Sequence, residues 1–293
     1  MTVRFEVEEQ QWTIAQVLLW VRQNLCERGG GIDKTDSEHL LAHCLGCKRI
    51  DLYINYQMPL SAQERQSYKL ELARLAAGVP LAYIIGNADF YGYEFVVGPE
   101  VLIPRPDTEC LIEQVLDYRH RFDESPRSLE IGLGSGCISI TLAKEIPSLS
   151  ATGWDVDAGA LEIACSNASR HQVKVEFTLK DGLSHDSYER GAFDFIVSNP
   201  PYISTAAIQE LDESVREYEP TLALSGGGDG LKFYKRFSVL CQEALKPRGM
   251  IFLEIGFDQG KAVVDLFRDA GWADIQLKQD YGGRDRIVIA TRS

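Results

Sequence analysis

Residues 198–203, Ser-Asn-Pro-Pro-Tyr-Ile, contain groups that could do chemistry on a planar nitrogen. Two consecutive prolines stiffen the turn and have no N–H, so carbonyl groups are free to point into a cleft. The side-chain oxygen of Asn199 and the carbonyl of Pro200 can accept the two hydrogens of an NH2 group, which favours the pyramidal geometry that frees the nitrogen lone pair. Tyr202 can stack on a planar amide or base and lie near a cationic sulfonium. The run predicts a site for alkylating an amide-like nitrogen, whereas the alternative for the tetrapeptide alone is a rigid surface turn.

A second set of residues, Gly132, Gly134 and Gly136, has the spacing GxGxG at the end of a strand-like segment. Glycines at such a turn let the backbone approach a ligand closely. A dinucleotide fingerprint would need a glycine where Cys137 stands, and the turn lacks the Lys-Ser/Thr pair that binds nucleoside triphosphates. Asp155 lies 23 residues after Gly132, at the end of the next predicted strand, where a carboxylate can accept both ribose hydroxyls of an adenosine. A structural glycine turn is the alternative.

Strand-like and helix-like segments alternate beyond Pro104, which is typical of a parallel sheet with helices on both faces. We predict strands near residues 128–131, 151–155, 173–178, 193–198, 250–255, 275–279 and 286–290. The last two flank Tyr-Gly-Gly-Arg, a connection too short for a parallel crossover, so they must be antiparallel. The predicted fold class is α/β, with a mostly parallel, Rossmann-like, seven-stranded sheet that ends in an antiparallel hairpin.

Three helices are predicted in the first eighty or so residues, because a capping residue is followed three positions later by Glu or Gln and then by an apolar stripe. The pairs are Thr13 with Gln16, Thr35 with Glu38, and Ser61 with Glu64. The three predicted helices end respectively at Gly29-Gly30-Gly31, at Gly46, and at Gly78 with Pro80. Aromatic and β-branched residues with glycines at 88–103 predict a hairpin. The predicted domains are residues 1–85, a helical bundle; 86–103, a hairpin linker; and 104–293, the α/β domain.

The amino-acid composition and net charge limit the classes of function that the protein can have. The chain has 293 residues, of which 45% are apolar and 25% charged, so about two folded globular domains are expected. The 30 basic and 43 acidic residues give a net charge of −13, which disfavours wholesale wrapping of nucleic acid. We expect a cytoplasmic protein without a membrane segment, because the chain lacks a long apolar run and a secretory signal. The seven cysteines are scattered and odd in number, which indicates reduced thiols and no metal site.

Five blocks of sequence, in order, resemble the protein-(glutamine-N5) methyltransferases that modify peptide chain release factors, within the class I S-adenosylmethionine-dependent methyltransferases. The blocks are 78–86 (GVPLAYIIG), 101–109 (VLIPRPDTE), 199–203 (NPPYI), 224–231 (LSGGGDGL) and 280–286 (DYGGRDR). The resemblance implies transfer of a methyl group from S-adenosylmethionine, leaving S-adenosylhomocysteine, to the glutamine of the Gly-Gly-Gln motif in class I release factors. It also implies that the N-terminal domain docks the factor. We expect a monomer that holds no nucleic acid stably.

The resemblance also assigns residues position by position. It implies cofactor binding by Gly132, Leu133, Gly134, Ser135, Gly136, Asp155, Asp181 and Asn199, with Asp181 near the adenine. It implies that Asn199, Pro200, Pro201 and Tyr202 hold the substrate amide, and that Asn199, Pro200 and Tyr202 are catalytic.

The chain departs from the family pattern at two of these positions. Glu130 stands where Asp is common, and Gly182 stands where a large apolar residue is frequent, so Leu183 is the candidate for packing on the adenine.

Residues 226–230, Gly-Gly-Gly-Asp-Gly, are interpreted as a flexible substrate-side loop rather than a phosphate loop. Arg105 and Arg286 fit either structural ion pairs or substrate contacts.

Two further functions remain open from the sequence. Enzymes that methylate N6 of adenine in DNA or RNA share the Asn-Pro-Pro-Tyr tetrapeptide, but they need a base-flipping channel and a basic approach surface. The charge of −13 disfavours such a surface. A cofactor-binding interaction module without activity is the non-enzymatic alternative, and the intact tetrapeptide disfavours it.

Overall fold

The structure, a computed structural model, describes residues 12–26 and 32–293. The chain divides into two compact units. One consists of Met1–Gly86 with Glu213–Tyr218, and the other of Asn87–Asp212 with Glu219–Ser293. The three-part division into residues 1–85, 86–103 and 104–293 stays a prediction.

The second unit contains a seven-stranded sheet in the order β5-β4-β3-β6-β7-β9-β8. The first five of these strands are parallel, and β9 is antiparallel to both β7 and β8. This arrangement confirms the predicted fold class. The strands are β3 (Arg127–Ile131), β4 (Ser150–Asp155), β5 (Val175–Leu179), β6 (Phe193–Ser198), β7 (Leu245–Glu254), β8 (Ala273–Gln279) and β9 (Asp285–Thr291).

A separate two-stranded hairpin precedes the sheet, formed by β1 (Asn87–Phe90) and β2 (Tyr93–Val96). Its turn residues Tyr91 and Gly92 have φ of 51° and 75°. Positive φ at both central residues gives a turn whose twist matches that of the flanking strands. The predicted hairpin is confirmed, but its second strand ends at Val96 rather than near residue 103.

Helices cover both faces of the large sheet, as the alternating pattern predicts. Neighbouring residues of β6 show the division, because Phe195 packs in one hydrophobic core and Ile196 in the other. The first core includes Leu111 of α6 and Ile140 of α7, and the second includes Phe237 of α11. The helices after the hairpin are α6 (Pro106–Asp117), α7 (Cys137–Glu145), α8 (Ala158–His171), α9 (Glu213–Tyr218), α10 (Thr221–Leu224), α11 (Lys232–Ala244) and α12 (Gly260–Asp269).

The first unit is helical around its own apolar core. Its α-helices within residues 12–86 are α1 (Ile14–Val21), α2 (Lys34–Leu45), α3 (Arg49–Ile54), α4 (Ala62–Ala76) and α5 (Leu81–Ile85), of which α3 and α5 were not predicted, and α9 also belongs to this unit. The capping boxes at Thr13 and Ser61 are confirmed, and Gly46 ends α2 in a left-handed conformation. The predicted end of the first helix at Gly29-Gly30-Gly31 lies outside the described residues. Among those described, none of the helices has the length and apolarity needed to cross a bilayer.

The predicted cap of the second helix is wrong. Asp33, not Thr35, is the N-cap of α2, and its Oδ1 accepts a hydrogen bond from the Thr35 N–H at 2.6 Å. Glu38 does not complete a capping box, because its carboxylate is buried and pairs with Arg49 at 2.7 Å. Two cap-forming residues stand close together in the sequence, and the helix begins at the upstream one.

Candidate active site

A cavity of about 400 Å³ opens at the carboxyl ends of the parallel strands in the second unit. Residues that directly follow β3 and β6, and Asp155 at the end of β4, contribute to its wall. The carboxyl ends of neighbouring parallel strands meet at one edge of a sheet, which is where open α/β sheets bind ligands. The predicted site residues in the wall are Gly132, Leu133, Gly134, Ser135, Asp155, Asp181, Asn199 and Pro201. Gly136, Pro200 and Tyr202 adjoin these residues in the chain but are not among the residues that form the wall.

The glycine turn after β3 is shaped for close approach at two positions. Gly132 and Gly134 have φ of 74° and 51°, and a Cβ atom at either would meet open space. Gly136 has a different role, because a Cβ there would lie 3.2 Å from the Cβ of Ala164. That glycine lets α7 pack closely on α8.

Asp155 is held at the end of β4 by two backbone N–H groups. Its Oδ2 accepts from Gly134 and its Oδ1 from Asp157, each at 3.0 Å. A carboxylate has about four acceptor positions, so each oxygen keeps one for a ligand hydroxyl. The arrangement fits a vicinal diol such as that of a ribose.

The Asn199 side chain is fixed by a chain of hydrogen bonds to Thr108 and the buried Glu254. Its Nδ2 donates to Thr108 Oγ1 at 3.1 Å, and the Thr108 hydroxyl donates to Glu254 Oε2 at 2.7 Å. The other oxygen of Glu254 accepts from the Tyr202 hydroxyl at 3.4 Å. Because Nδ2 is turned toward Thr108, the amide oxygen is left as the acceptor for a ligand.

The glycine-rich segment at 226–230 packs against the backbone at the end of the Asn-Pro-Pro-Tyr turn. Gly226 N–H donates to the Ile203 carbonyl at 2.8 Å, and Thr205 N–H donates to the Gly227 carbonyl at 2.9 Å. A Cβ at Gly230, which has φ of 73°, would collide with the carbonyl oxygen of Tyr202. These glycines permit close backbone packing, and the interpretation as a flexible substrate-side loop stays a prediction.

Two buried carboxyl groups lie at the site. Glu130 forms part of the cavity wall; its Oε2 accepts from Ser139 N–H at 2.9 Å, while Oε1 has no partner among the described residues. Burial raises the pKa of Glu130 to about 8. Burial also raises the pKa of Glu254 to about 7, against the opposing effects of the Thr108 hydrogen bond and of the Arg286 charge.

Comparison with known proteins places the chain in a family. The family models described as PrmC N-terminal domain and Methyltransferase small domain match residues 16–86 and 107–218. The release factor glutamine methyltransferase of Geobacter sulfurreducens is 42% identical over 277 residues, which are 94% of this chain and 96% of that protein. This chain belongs to the release factor glutamine methyltransferase family. The protein of that name from Bacillus subtilis is 39% identical over 282 residues, 95% of this chain and 97% of its own.

The fold agrees with that assignment. The crystal structure of a methyltransferase from Pyrococcus furiosus superposes with a TM-score of 0.51 and 19% identity, over 76% of this chain and 98% of that one. At this identity the likeness shows the fold alone. Together with the family, it identifies the protein as a methyltransferase.

The glycine at position 182 has a steric explanation. A Cβ at this buried glycine would lie far inside van der Waals contact with Cγ2 of Ile131, at the end of β3. Leu183 does not take the expected place in the cavity wall, because it packs against the core that contains Trp154. Its N–H instead donates to Asp181 Oδ1 at 2.8 Å.

Both arginines left open by the sequence form ion pairs. Arg105 pairs with the buried carboxylate of Glu219, although it also contributes to the cavity wall. Arg286 lies between Asp107 at 3.1 Å and Asp280 at 3.2 Å. These pairs support the structural alternative for both residues.

Sequence reasoning did not assign Thr108 or Glu254 to the site. A signal for Glu254 was present, because it ends the strand that lies next to β6, and the carboxyl ends of parallel neighbours share an edge. Thr108 could not be found in this way, since α6 precedes the sheet in the chain and reaches the site only through packing.

Proposed function

We propose that this methyltransferase transfers a methyl group from S-adenosylmethionine to the side-chain nitrogen, N5, of the glutamine in the Gly-Gly-Gln motif of class I peptide chain release factors. Such a modification would modulate translation termination. The observation that carries the proposal is Asn199, which lines the same cavity as the glycine turn and Asp155 with its amide nitrogen already bonded to Thr108. The names of the Geobacter and Bacillus relatives support the substrate.

The cavity fits the proposed methyl donor. Its volume of about 400 Å³ lies within the range of small-molecule sites, and the glycine turn leaves open space where side chains would otherwise stand. When bound, S-adenosylmethionine supplies a methyl group on a sulfonium. We assign its binding to Gly132, Leu133, Gly134, Ser135, Gly136, Asp155, Asp181 and Asn199, with Asp155 at the ribose hydroxyls and Asp181 near the adenine.

The residues of the Asn-Pro-Pro-Tyr turn would act by positioning. Asn199 Oδ1 and the Pro200 carbonyl accept the two hydrogens of the substrate amide, which frees the nitrogen lone pair for attack. Pro201 keeps the turn rigid. Tyr202 lies against the amide, with its hydroxyl held by Glu254 at 3.4 Å. No strong general base is required, because the nitrogen becomes acidic only after the methyl group has transferred, and its proton can pass to a carbonyl or to water.

A labelling assay tests this function. Methyl-labelled S-adenosylmethionine is incubated with purified release factor, with its Gly-Gly-Gln variant carrying Gln→Ala, and with duplex DNA. We expect label on the unmodified factor alone. Label on DNA would favour the adenine-N6 alternative, and equal label on the Ala variant would exclude the glutamine as target. The Asn199→Ala enzyme should lose about 100-fold or more in kcat, and full activity would refute the proposed mechanism.

We further propose that residues 1–85 form the domain that docks the factor, and that the enzyme acts in the cytoplasm as a monomer without stably bound nucleic acid. The exposed apolar side chains Ile50 and Ile54 of α3 support the docking role, because large exposed apolar groups mark interaction surfaces.

A further inference from the structure

The orientation of the Asn199 amide is set by buried hydrogen-bond partners within the protein. An asparagine amide carries an oxygen and an NH2 group of nearly equal size, so shape alone does not determine which one faces a ligand. In the proposed mechanism only the oxygen is productive, because the substrate amide donates. The hydrogen-bond chain through Thr108 and Glu254 is the part of the protein that can distinguish the two orientations.

The direction of this chain follows from counting hydrogens. The Thr108 hydroxyl has one hydrogen, and an ionised Glu254 carboxylate can only accept, so that hydrogen is committed to Glu254 at 2.7 Å. The Thr108 oxygen can then only accept from Asn199, which must present Nδ2 and leave Oδ1 for the cavity. Thr108 and Glu254 are 2% and 1% exposed, so water does not compete readily for these bonds.

We propose that Thr108 and Glu254 are positioning residues, which fix the Asn199 amide so that its oxygen faces the substrate nitrogen. Neither residue needs to touch the reacting atoms for this role. The inference rests on the proposed function, because it assigns Asn199 Oδ1 as the acceptor for a donating NH2 group.

The ionisation of Glu254 controls the direction in which the hydrogen bonds from Asn199 through Thr108 to Glu254 are donated. A protonated Glu254 could donate to Thr108, whose hydrogen would then be free to bond Asn199 Oδ1 in the unproductive orientation. The groups that face Glu254 are Asp107 and Thr108 of α6, Cys137 of α7, Tyr202 after β6, Tyr234 of α11 and Arg286 of β9. Burial dominates among these influences and raises the pKa of Glu254 to about 7. Because the ionised form is the productive one, kcat should rise with pH through this region.

The test compares wild type with Thr108→Val, which replaces the hydroxyl by a methyl group of similar size, and with Thr108→Ser, which restores the hydroxyl. For each, kcat and KM for release factor and for S-adenosylmethionine are measured from about pH 5.5 to about pH 9. We expect Thr108→Val to lose about tenfold in kcat at pH 8. Thr108→Val should also lose the rise of kcat with pH near pH 7, which we call the ascending limb. Thr108→Ser should restore both the value of kcat and this limb.

Two controls separate positioning from a general structural effect. The circular dichroism spectrum should be the same in all three proteins, and Thr108→Ser should bind S-adenosylhomocysteine as wild type does when binding is measured by calorimetry. The ascending limb should persist in Glu130→Gln, because Glu130 is outside the hydrogen-bond chain. If Thr108→Val does not fold, Glu254→Gln provides the same test, since it removes the titrating group and should abolish the limb near pH 7.

The outcomes distinguish this inference from the proposed function. If wild type does not label the release factor, the proposed function fails, and the comparison is then made with whichever amino substrate becomes labelled. If wild type labels the factor while Thr108→Val retains both kcat and the limb near pH 7, the positioning role is overturned and the function stands. Loss of kcat that Thr108→Ser does not restore would also overturn it.

Discussion

Glu130 is a residue at which burial has a large consequence for the pH dependence of stability. Its side chain is 1% exposed, and one carboxyl oxygen has no partner among the described residues. Burial without full hydrogen bonding favours the neutral form, and the Asp155 charge adds to the effect, while the bonds from Ser139 oppose it. The folded protein therefore keeps this proton to about pH 8, whereas the unfolded chain releases it near the ordinary pKa of 4.5.

Glu130→Gln should reduce the loss of stability with rising pH. Between the two pKa values the folded state binds more protons than the unfolded state, so the free energy of unfolding falls by up to about 1.4 kcal/mol per pH unit. Glutamine resembles the protonated carboxyl and does not titrate. Urea unfolding at pH 5 and at pH 8 should show that Glu130→Gln gains stability over wild type by a few kcal/mol at the higher pH.

A matched substitution controls for the charge change alone. Glu162→Gln removes a carboxylate that is exposed on α8, and it should leave the pH dependence of unfolding as in wild type. The slope should not vanish in Glu130→Gln, because Glu254 also titrates above its ordinary pKa. A Glu130→Gln protein whose stability falls with pH as steeply as wild type would contradict the assignment.

The sequence pointed to residues of the cavity wall more readily than to the residues that support them. The Asn199 turn and the glycine turn could be found because Pro and Gly restrict the backbone in ways that are visible locally. The hydrogen-bond chain from Asn199 to Thr108 joins positions 91 residues apart, and the bond from Thr108 to Glu254 joins positions 146 apart. No local pattern signals contacts of that kind, because they depend on how α6 packs against the sheet.

At the scale of elements, the end of β3 and the turn after β5 form a tightly fitted pair. Gly182 packs against Ile131, and a methyl group at position 182 would require one of the two segments to move. Well-packed interiors resist such movement. The glycine at position 182 is therefore sterically coupled to the isoleucine at position 131.

Gly182→Ala should destabilise the protein by about 1–3 kcal/mol, because it overpacks this contact. Ile131→Ala itself creates a cavity. In that background, Gly182→Ala should reduce the free energy of unfolding much less. A double-mutant cycle of unfolding free energies measures the coupling. Gly228→Ala is the control, since a Cβ there meets open space and φ is not in the left-handed region. Additive effects of Gly182→Ala and Ile131→Ala would show that the two positions are not in steric conflict.

The elements themselves were predicted where burial leaves a clear pattern. The strands of the large sheet begin and end within two residues of the prediction, except that β7 begins at Leu245 instead of residue 250. The early part of β7 contains Lys-Pro-Arg-Gly, which is typical of a turn, and its pairing with β6 has a register shift there. The missed helices α3 and α5 have only six and five residues, too few to show a helical period.

At the scale of the whole molecule, charge and exposed apolar surface distinguish the classes of substrate. The net charge of −13 disfavours a partner held by its phosphates, because such binding depends on basic side chains. The helix α3 instead presents Ile50 and Ile54, which are 60% and 72% exposed and stand four residues apart on one helix face. We refer to these two side chains as the α3 patch. An apolar patch on an acidic protein suits a protein partner.

Ile50→Asp tests whether the α3 patch docks the release factor. The substitution lies in the first turn of α3, where an acidic residue is compatible with the helix dipole, and the side chain is exposed, so stability should change by no more than about 0.5 kcal/mol. If the factor buries Ile50, KM for the intact factor should rise about tenfold or more. KM for a short Gly-Gly-Gln peptide should not change, because a peptide of a few residues reaches only the cavity.

The matched control is Val239→Asp, which introduces the same charge at a side chain that is 61% exposed on α11 in the second unit. It should leave KM for both the factor and the peptide as in wild type. Equal increases for Ile50→Asp and Val239→Asp would indicate general charge repulsion of the factor and not docking at α3. An increase for the peptide as large as for the factor would place the effect at the cavity, and an unchanged KM for the factor would exclude the α3 patch from the docking surface.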